Sequence, residues 1–257
     1  MEKLNQFDLK KQYHLAKQRL LFLNYEGTLV SRNQATTDRA VEQLIADLSS
    51  DAKNNVAVIS DRSVAALGDC FLNNTVTLVA ESGGFMKSPG GEWRALSDFY
   101  MAWKEPVVNA LRRLAASYPG SCLIEKHFSV KWKFDNGDNQ LSDTERRQLD
   151  VAFRMLSIQF EIPINHANGS VEFRSPDVSK SKFAASWLSL NGPADFILAI
   201  GSDSTDEELF DTIGKSYTTV RVGYTGISQA RYYVDDRSNV LALLEHLIRP
   251  VNKNSFY

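Results

Sequence analysis

Three short polar clusters in this 257-residue chain carry side chains able to do chemistry, and each closes an apolar run. Asn24 and Glu26 follow Leu20-Leu21-Phe22-Leu23 and precede Gly27-Thr28. Ser60-Asp61-Arg62 follows Val56-Ala57-Val58-Ile59. Ser202, Asp203 and Asp206 follow Phe196 to Gly201. Lys180 stands just inside a helix start marked by Ser179. Phosphoryl transfer needs a nucleophile, positive charge for the phosphate and a metal to offset carboxylate–phosphate repulsion. Ser60, Lys180, Asp203 and Asp206 supply part of that set. The plainer alternative is that Asn24 makes an ordinary Asx-type turn, that the clusters are caps and turns, and that Lys180 is a solvated surface lysine.

The elements that must position these groups follow from hydrophobic pattern. Short apolar runs bounded by turn residues predict strands buried on both faces. Thr37 or Asp38 caps a helix with Ala40, Val41, Leu44, Ile45 and Leu48 at helical spacing. A helix from Val64 to Phe71 and a strand from Thr75 to Ala80 follow. Strand, helix, strand, helix, strand predicts a doubly wound parallel sheet, an α/β core. In such a sheet all three clusters lie at the carboxyl edge, where ligands bind, and two open into helices whose amides favour anions.

Beyond Ala80, Glu81 to Lys87 and Pro89-Gly90-Gly91 predict a small hairpin closed by Trp93. A long helix is expected from Ala95 to Tyr118, broken near Pro106. Strands at Ser121 to Lys126 and Ser129 to Phe134, a turn at Asp135-Asn136-Gly137-Asp138, a helix from Ser142 to Leu156 with a capping box, and strands at Phe160 to Ile164 and Ser170 to Arg174 predict an inserted α+β cap, with His166-Ala167-Asn168-Gly169 as the last turn. Helices from Ser179, Glu207 and Ser238 alternate with strands at Asp195 to Ile200, Thr218 to Val222 and Tyr232 to Val234 and complete the core. The expected division is a leader helix or linker at 1–18, a core of 19–102 and 176–257, and a cap of 103–175.

Composition narrows the function classes. A net charge of −2 leaves no footprint for nucleic acid or an anionic membrane. No apolar run approaches the roughly 18–20 residues of a spanning helix. Met1 to Gln6 lacks an apolar signal core, so a cytoplasmic location is expected. Cys70 and Cys122 are expected to be free thiols.

The stretch Leu20 to Thr28 resembles the first motif of the haloacid dehalogenase superfamily, Asp-x-Asp-Gly-Thr after an apolar strand. The order of further motifs is similar to the trehalose-6-phosphate phosphatases, a subfamily with a cap between its second and third motifs. Val58-Ile59-Ser60-Asp61-Arg62, Ala80-Glu81-Ser82-Gly83, Val171-Glu172-Phe173-Arg174, Val178-Ser179-Lys180 and Gly201-Ser202-Asp203-Ser204-Thr205-Asp206-Glu207 carry the resemblance over nearly the whole chain. It implies a catalytic nucleophile at Asn24 and a general acid/base at Glu26. It implies phosphate binding by Ser60 and Lys180, Mg²⁺ at Asn24, Glu26, Ser202 and Asp203, and sugar binding by Glu125, His127 and Glu172.

The departures from that pattern are as informative. The nucleophilic Asp is Asn24, the acid/base Asp is Glu26, and a metal-binding Asp is Ser202. Asp61 replaces a glycine and Ser82 a histidine; the cap's Glu-x-Lys reads Glu125-Lys126-His127, its second fixed position changed, and the Trp-His-Tyr-Arg stretch reads Trp132-Lys133-Phe134-Asp135. The expectation is a pseudophosphatase: a trehalose-6-phosphate phosphatase-like domain without turnover and with weak or absent Mg²⁺ binding. Its role would be regulatory or structural, with a trehalose-6-phosphate synthase domain as partner or as the rest of the polypeptide. Two alternatives stand beside it: an active Mg²⁺-dependent enzyme releasing trehalose and phosphate, and a sensor that binds trehalose 6-phosphate or a related sugar phosphate without hydrolysis.

Overall fold

The computed structural model describes residues 1–71, 75–96, 101–134, 141–167 and 169–250. The chain divides into two compact units, Met1–Leu96 with Ser179–Tyr257, and Ser97–Val178. In chain order the first unit opens with β1 (Glu2–Lys3), α1 (Gln6–Leu15), β2 (Arg19–Asn24), α2 (Arg39–Ser50), β3 (Asn54–Ile59), α3 (Val64–Gly68), β4 (Thr77–Ala80), β5 (Phe85–Lys87) and β6 (Trp93–Ala95). The second unit holds α4 (Lys104–Ala115), β7 (Cys122–Glu125), β8 (Ser129–Lys133), α5 (Asp143–Phe160), β9 (Ile164–Ala167) and β10 (Ser170–Arg174). The first unit resumes with α6 (Lys180–Asn191), β11 (Phe196–Gly201), α7 (Thr205–Ile213), β12 (Thr218–Val222), β13 (Tyr232–Val234) and α8 (Arg237–Ile248).

The first unit is built on one sheet of order β1-β13-β12-β11-β2-β3-β4-β5-β6. Strands β1 to β4 and β11 to β13 pair in parallel. β5 and β6 are antiparallel, so the expected parallel sheet is mixed at one edge. The reason is local: only a tight turn links β4 to β5, and a turn that short can join only antiparallel neighbours. β2 lies at the centre, and all six of its residues are buried. Leu21 and Leu23 enter the core under one face, with Leu44, Leu48 and Leu244. Leu20 and Phe22 enter the core under the other, with Phe183, Trp187 and Phe210. Each such side chain contributes about 1.5–3 kcal/mol on full burial, which is why the run reads as continuous rather than alternating.

Residues 1–18 are not a separate leader. β1 extends the sheet by pairing with β13, and Leu9 and Tyr13 of α1 are buried in the main core. The Tyr13 hydroxyl also accepts from Asn54 Nδ2 at 2.6 Å. The helix expected from Ala95 begins at Lys104. Pro106 sits in its first turn, where a missing N–H leaves no intrahelical bond unmade, so no break occurs there. α3 stops at Gly68, short of Phe71.

The second unit is a four-stranded antiparallel sheet, β7-β8-β10-β9. α4 and α5 pack over a core of Val107, Leu111, Val130, Trp132, Phe153 and Phe173. The Ser142 capping box forms as expected, with Ser142 Oγ accepting from Glu145 N and Glu145 accepting from Ser142 N. α5 continues to Phe160 because Leu156 and Phe160 prolong its apolar face, so the strand expected there starts at Ile164. His166 and Ala167 consequently lie in β9 rather than in a turn. The Asp135-Asn136-Gly137-Asp138 turn and Asn168 lie outside the described residues. The unit boundaries, 96/97 and 178/179, fall a few residues from the expected 102/103 and 175/176. Among the described residues, no helix is long and apolar enough to cross a membrane.

Candidate active site

Parallel register brings the three clusters together. Asn24 pairs with Ile59, next to Ser60, and Leu23 pairs with Ile200, next to Gly201. The β2 strand thus delivers Asn24, 1% exposed, between the ends of its two neighbours. The turn after it closes through N–H groups of Leu29 and Val30 donating to the Tyr25 carbonyl. Gly27 has φ +73°, and a Cβ there would lie 2.5 Å from Ser202 Oγ. Only glycine lets the β2 turn and the β11 turn approach this closely.

Asn24 is held at both ends of its amide. Its Oδ1 accepts from Lys180 Nζ at 3.0 Å. Its Nδ2 donates to the Glu26 carbonyl at 2.8 Å, with longer contacts of 3.4 Å to Thr28 Oγ1 and Ser202 Oγ. The same Glu26 carbonyl accepts from Ser202 Oγ at 2.9 Å. Both lone pairs of that oxygen are therefore occupied by neutral side chains of the site.

Lys180 is 1% exposed, so the surface-lysine alternative is excluded. Ser179 caps α6 by accepting from Lys182 N, and Lys180 follows as the first helical residue. Its ammonium donates to Asp206 Oδ1 at 2.6 Å and lies 3.6 Å from Asp203 Oδ1. Burial alone would push Lys180 down, but Asp206 and Asp203 outweigh it and hold the ammonium above the usual lysine range. Asp206, fully buried, also accepts from the N–H groups of Ser202 and Asp203 through Oδ2. Asp203 Oδ1 accepts from Thr205 Oγ1, Thr205 N and Asp206 N, closing the start of α7. Burial raises Asp203, yet Lys180 and these donors together hold it below the usual carboxylate range.

The Glu26 side chain turns the other way. Both carboxylate oxygens lie 3.0 Å from Ser60 Oγ, and Oε1 lies 2.7 Å from Arg62 Nε. Burial, and then the charge of Asp61, raise its pKa, against the Ser60 hydrogen bond and Arg62. The remaining guanidinium nitrogens donate to the carbonyls of Ala35 and Gln34, so Arg62 is anchored in the loop after β2. Sequence patterning placed Arg62 at the edge but gave it no role. It likewise did not single out Asp206 as the buried partner of Lys180. The detectable signal for Asp206 is its place in the first turn of a helix directly after an apolar strand.

Glu125, His127 and Glu172 belong to the second unit. Glu172, paired with Lys131 across the sheet, accepts from Ser129 Oγ at 2.7 Å and Lys126 Nζ at 3.2 Å. Glu125 pairs with Val130, a core residue, and so stands on the opposite face from Glu172. It bonds Arg112 of α4 at 2.7 Å. The two carboxylates are therefore not brought together; Lys126 is the one that meets Glu172. His127 lies between β7 and β8, its ring edge-on to Phe128 and its carbonyl accepting from Lys104.

A sheet whose central strands are parallel, with these three strand ends at one edge and an α+β insert in the chain, defines a haloacid dehalogenase-like fold. The family description Trehalose-phosphatase matches residues 22–238, and the chain belongs to that family. It is 32% identical to a bifunctional trehalose-6-phosphate synthase/phosphatase of Thermoproteus tenax over 97% of this chain and 34% of the relative. It is 27% identical to alpha,alpha-trehalose-phosphate synthase [UDP-forming] B of Dictyostelium discoideum, over 93% of this chain and 31% of the relative. The chain thus spans about a third of the length of these curated relatives. Among solved structures it superposes on the C-terminal domain of C. albicans trehalose-6-phosphate phosphatase with a TM-score of 0.85 and 26% identity, covering 97% of this chain and 98% of that one. The C-terminal domain of a Candida albicans trehalose synthase regulatory protein shares the fold, with a TM-score of 0.76 and 17% identity over 95% and 99% of the two chains.

Proposed function

We propose that this chain is a pseudophosphatase, a trehalose-phosphatase domain that retains the scaffold and does not hydrolyse phosphate esters. The observation that carries this reading is Asn24. A carboxylate at that position would attack phosphorus; a neutral amide is not an effective nucleophile. The amide is also engaged at both ends, by Lys180 and by the Glu26 carbonyl.

The donor set does not fit Mg²⁺, which favours anionic oxygen ligands in octahedral geometry. Two of the four expected ligands, Asn24 and Ser202, are neutral. A third, the Glu26 carbonyl, already accepts two hydrogen bonds, and Asp203 Oδ1 accepts from Thr205 and Asp206. Lys180 already serves Asp203 and Asp206 as their counter-cation.

The role is regulatory or structural within trehalose biosynthesis, in the cytoplasm, beside a trehalose-6-phosphate synthase domain. The synthase/phosphatase relative and the synthase relative, each about three times the length of this chain, support that pairing. Trehalose 6-phosphate or a related sugar phosphate is the ligand class. The test is phosphate release from trehalose 6-phosphate with Mg²⁺, comparing the unmodified chain with N24D/E26D/S202D. No release by the first and measurable release by the second is the expected pair of results. Turnover by the unmodified chain overturns the reading.

A further inference from the structure

The Glu26 carboxylate has taken up a position that neither an acid/base role nor a metal site explains. It projects onto Ser60, the hydroxyl at the end of β3, with both oxygens at 3.0 Å, and onto Arg62 Nε at 2.7 Å. Ser60 is fully buried, and the Glu26 and Arg62 side chains are only 18% and 16% exposed. A hydroxyl and a guanidinium converging on two anionic oxygens, largely out of water, is the donor arrangement that binds a phosphate-like oxyanion. Here the chain fills it with its own anion.

We propose that Glu26 is an internal anion seated at Ser60 and Arg62, and that it sets the affinity of this site for tetrahedral oxyanions because it must leave before one can enter. Side-chain length makes this possible. A carboxyl one methylene shorter would end about 1.5 Å nearer the backbone, a large shortfall for bonds already 3.0 Å long. Charge strengthens the competition. Asp61 bears on Glu26, so an entering dianion would meet two carboxylates with Arg62 as the adjacent cation. Arg62 itself cannot swing away to follow the incoming anion, because Gln34 and Ala35 hold it at 2.5 Å each. Removing the Glu26 carboxylate leaves a partly buried guanidinium and a buried hydroxyl without their anion, an arrangement that an external anion relieves.

The inference rests on the reading of this site as one that binds rather than turns over, and its test is independent of turnover. Inorganic phosphate, and separately sulfate, are titrated by calorimetry into the whole chain carrying Glu26, E26A, E26D or E26A/S60A, with circular dichroism confirming that each is folded. E26A is expected to bind phosphate and sulfate at least about tenfold more tightly than the unmodified chain, a difference of about 1.4 kcal/mol. E26D is expected to fall between them, and E26A/S60A to lose the gain. Equal affinities for E26A and the unmodified chain, or no binding to folded E26A at millimolar anion, overturn the inference. If E26A does not fold, E26D decides alone: an affinity equal to that of the unmodified chain refutes the seat. Phosphate release by the unmodified chain would refute the pseudophosphatase and leave these affinities untouched.

Discussion

Asn24 Nδ2 donates to the Glu26 carbonyl oxygen across 2.8 Å, while the Glu26 carboxylate points away to Ser60 and Arg62. One backbone oxygen and one side chain thus divide the first turn between two polar networks. The amide network needs a donor at Asn24. In N24D an anionic oxygen would face the Glu26 carbonyl, which cannot donate. N24D is therefore expected to be less stable by about 1–3 kcal/mol in urea unfolding without Mg²⁺. Mg²⁺ should restore stability in N24D/S202D and leave the unmodified chain unchanged. An Mg²⁺-dependent shift in the unmodified chain would count against the proposed donor set.

Lys180 ties Asp206 and Asn24 together from the first turn of α6. K180M removes the cation and leaves Asp206 buried without its charge partner. A loss of about 3–5 kcal/mol is expected, read as a lower urea midpoint at unchanged slope. A change below about 1 kcal/mol would mean that the pair is not ionised as described.

Gly83 fixes where α6 begins. It has φ +111°, and a Cβ there would lie 2.7 Å from the Ser179 carbonyl oxygen. G83A should lower stability by about 1–3 kcal/mol or more and displace the α6 N-terminus. Gly90, with φ +69° and nothing within 4 Å of the place a methyl would take, is the control. G90A should show only the left-handed backbone penalty of about 1–2 kcal/mol.

His14 on α1 and His246 on α8 are both held below the ordinary histidine pKa of 6.5, chiefly by burial and then by nearby cations, Lys10 for both. The folded chain prefers them neutral. As pH falls through about 6.5 the unfolded chain takes up protons first, so stability is lost progressively until the depressed folded values are passed. The double variant H14Q/H246Q should flatten thermal stability between pH 7 and 5 relative to the unmodified chain. An unchanged slope would show that other groups govern acid sensitivity.

Much of this was legible in the sequence. The apolar runs before Asn24, Ser60 and Ser202 identified three strand ends, and alternation with helices placed them at one sheet edge. The fold and the first-unit site followed from that. What was not legible depends on contacts without periodicity. The direction of the Glu26 side chain is set by Arg62, which is held in turn by carbonyls of Gln34 and Ala35 in an irregular loop. The burial of Lys180 depends on Asp206, 26 residues away. The resemblance implied sugar binding by both Glu125 and Glu172, but pairing with Val130, which no motif reveals, puts Glu125 on the helix-covered face, opposite Glu172. The integration of residues 1–18 rests on Leu9 and Tyr13, two buried positions in a helix whose other large apolar residues, Phe7 and Leu15, are exposed and so blur the pattern.

The central claim, that Asn24 ends phosphoryl transfer here, is tested most directly by single-turnover phosphate release. The unmodified chain, in excess over trehalose 6-phosphate and with Mg²⁺ present, should release no phosphate above buffer while intact mass confirms Asn at position 24. Release of the bound phosphoryl group by that verified protein would contradict the claim.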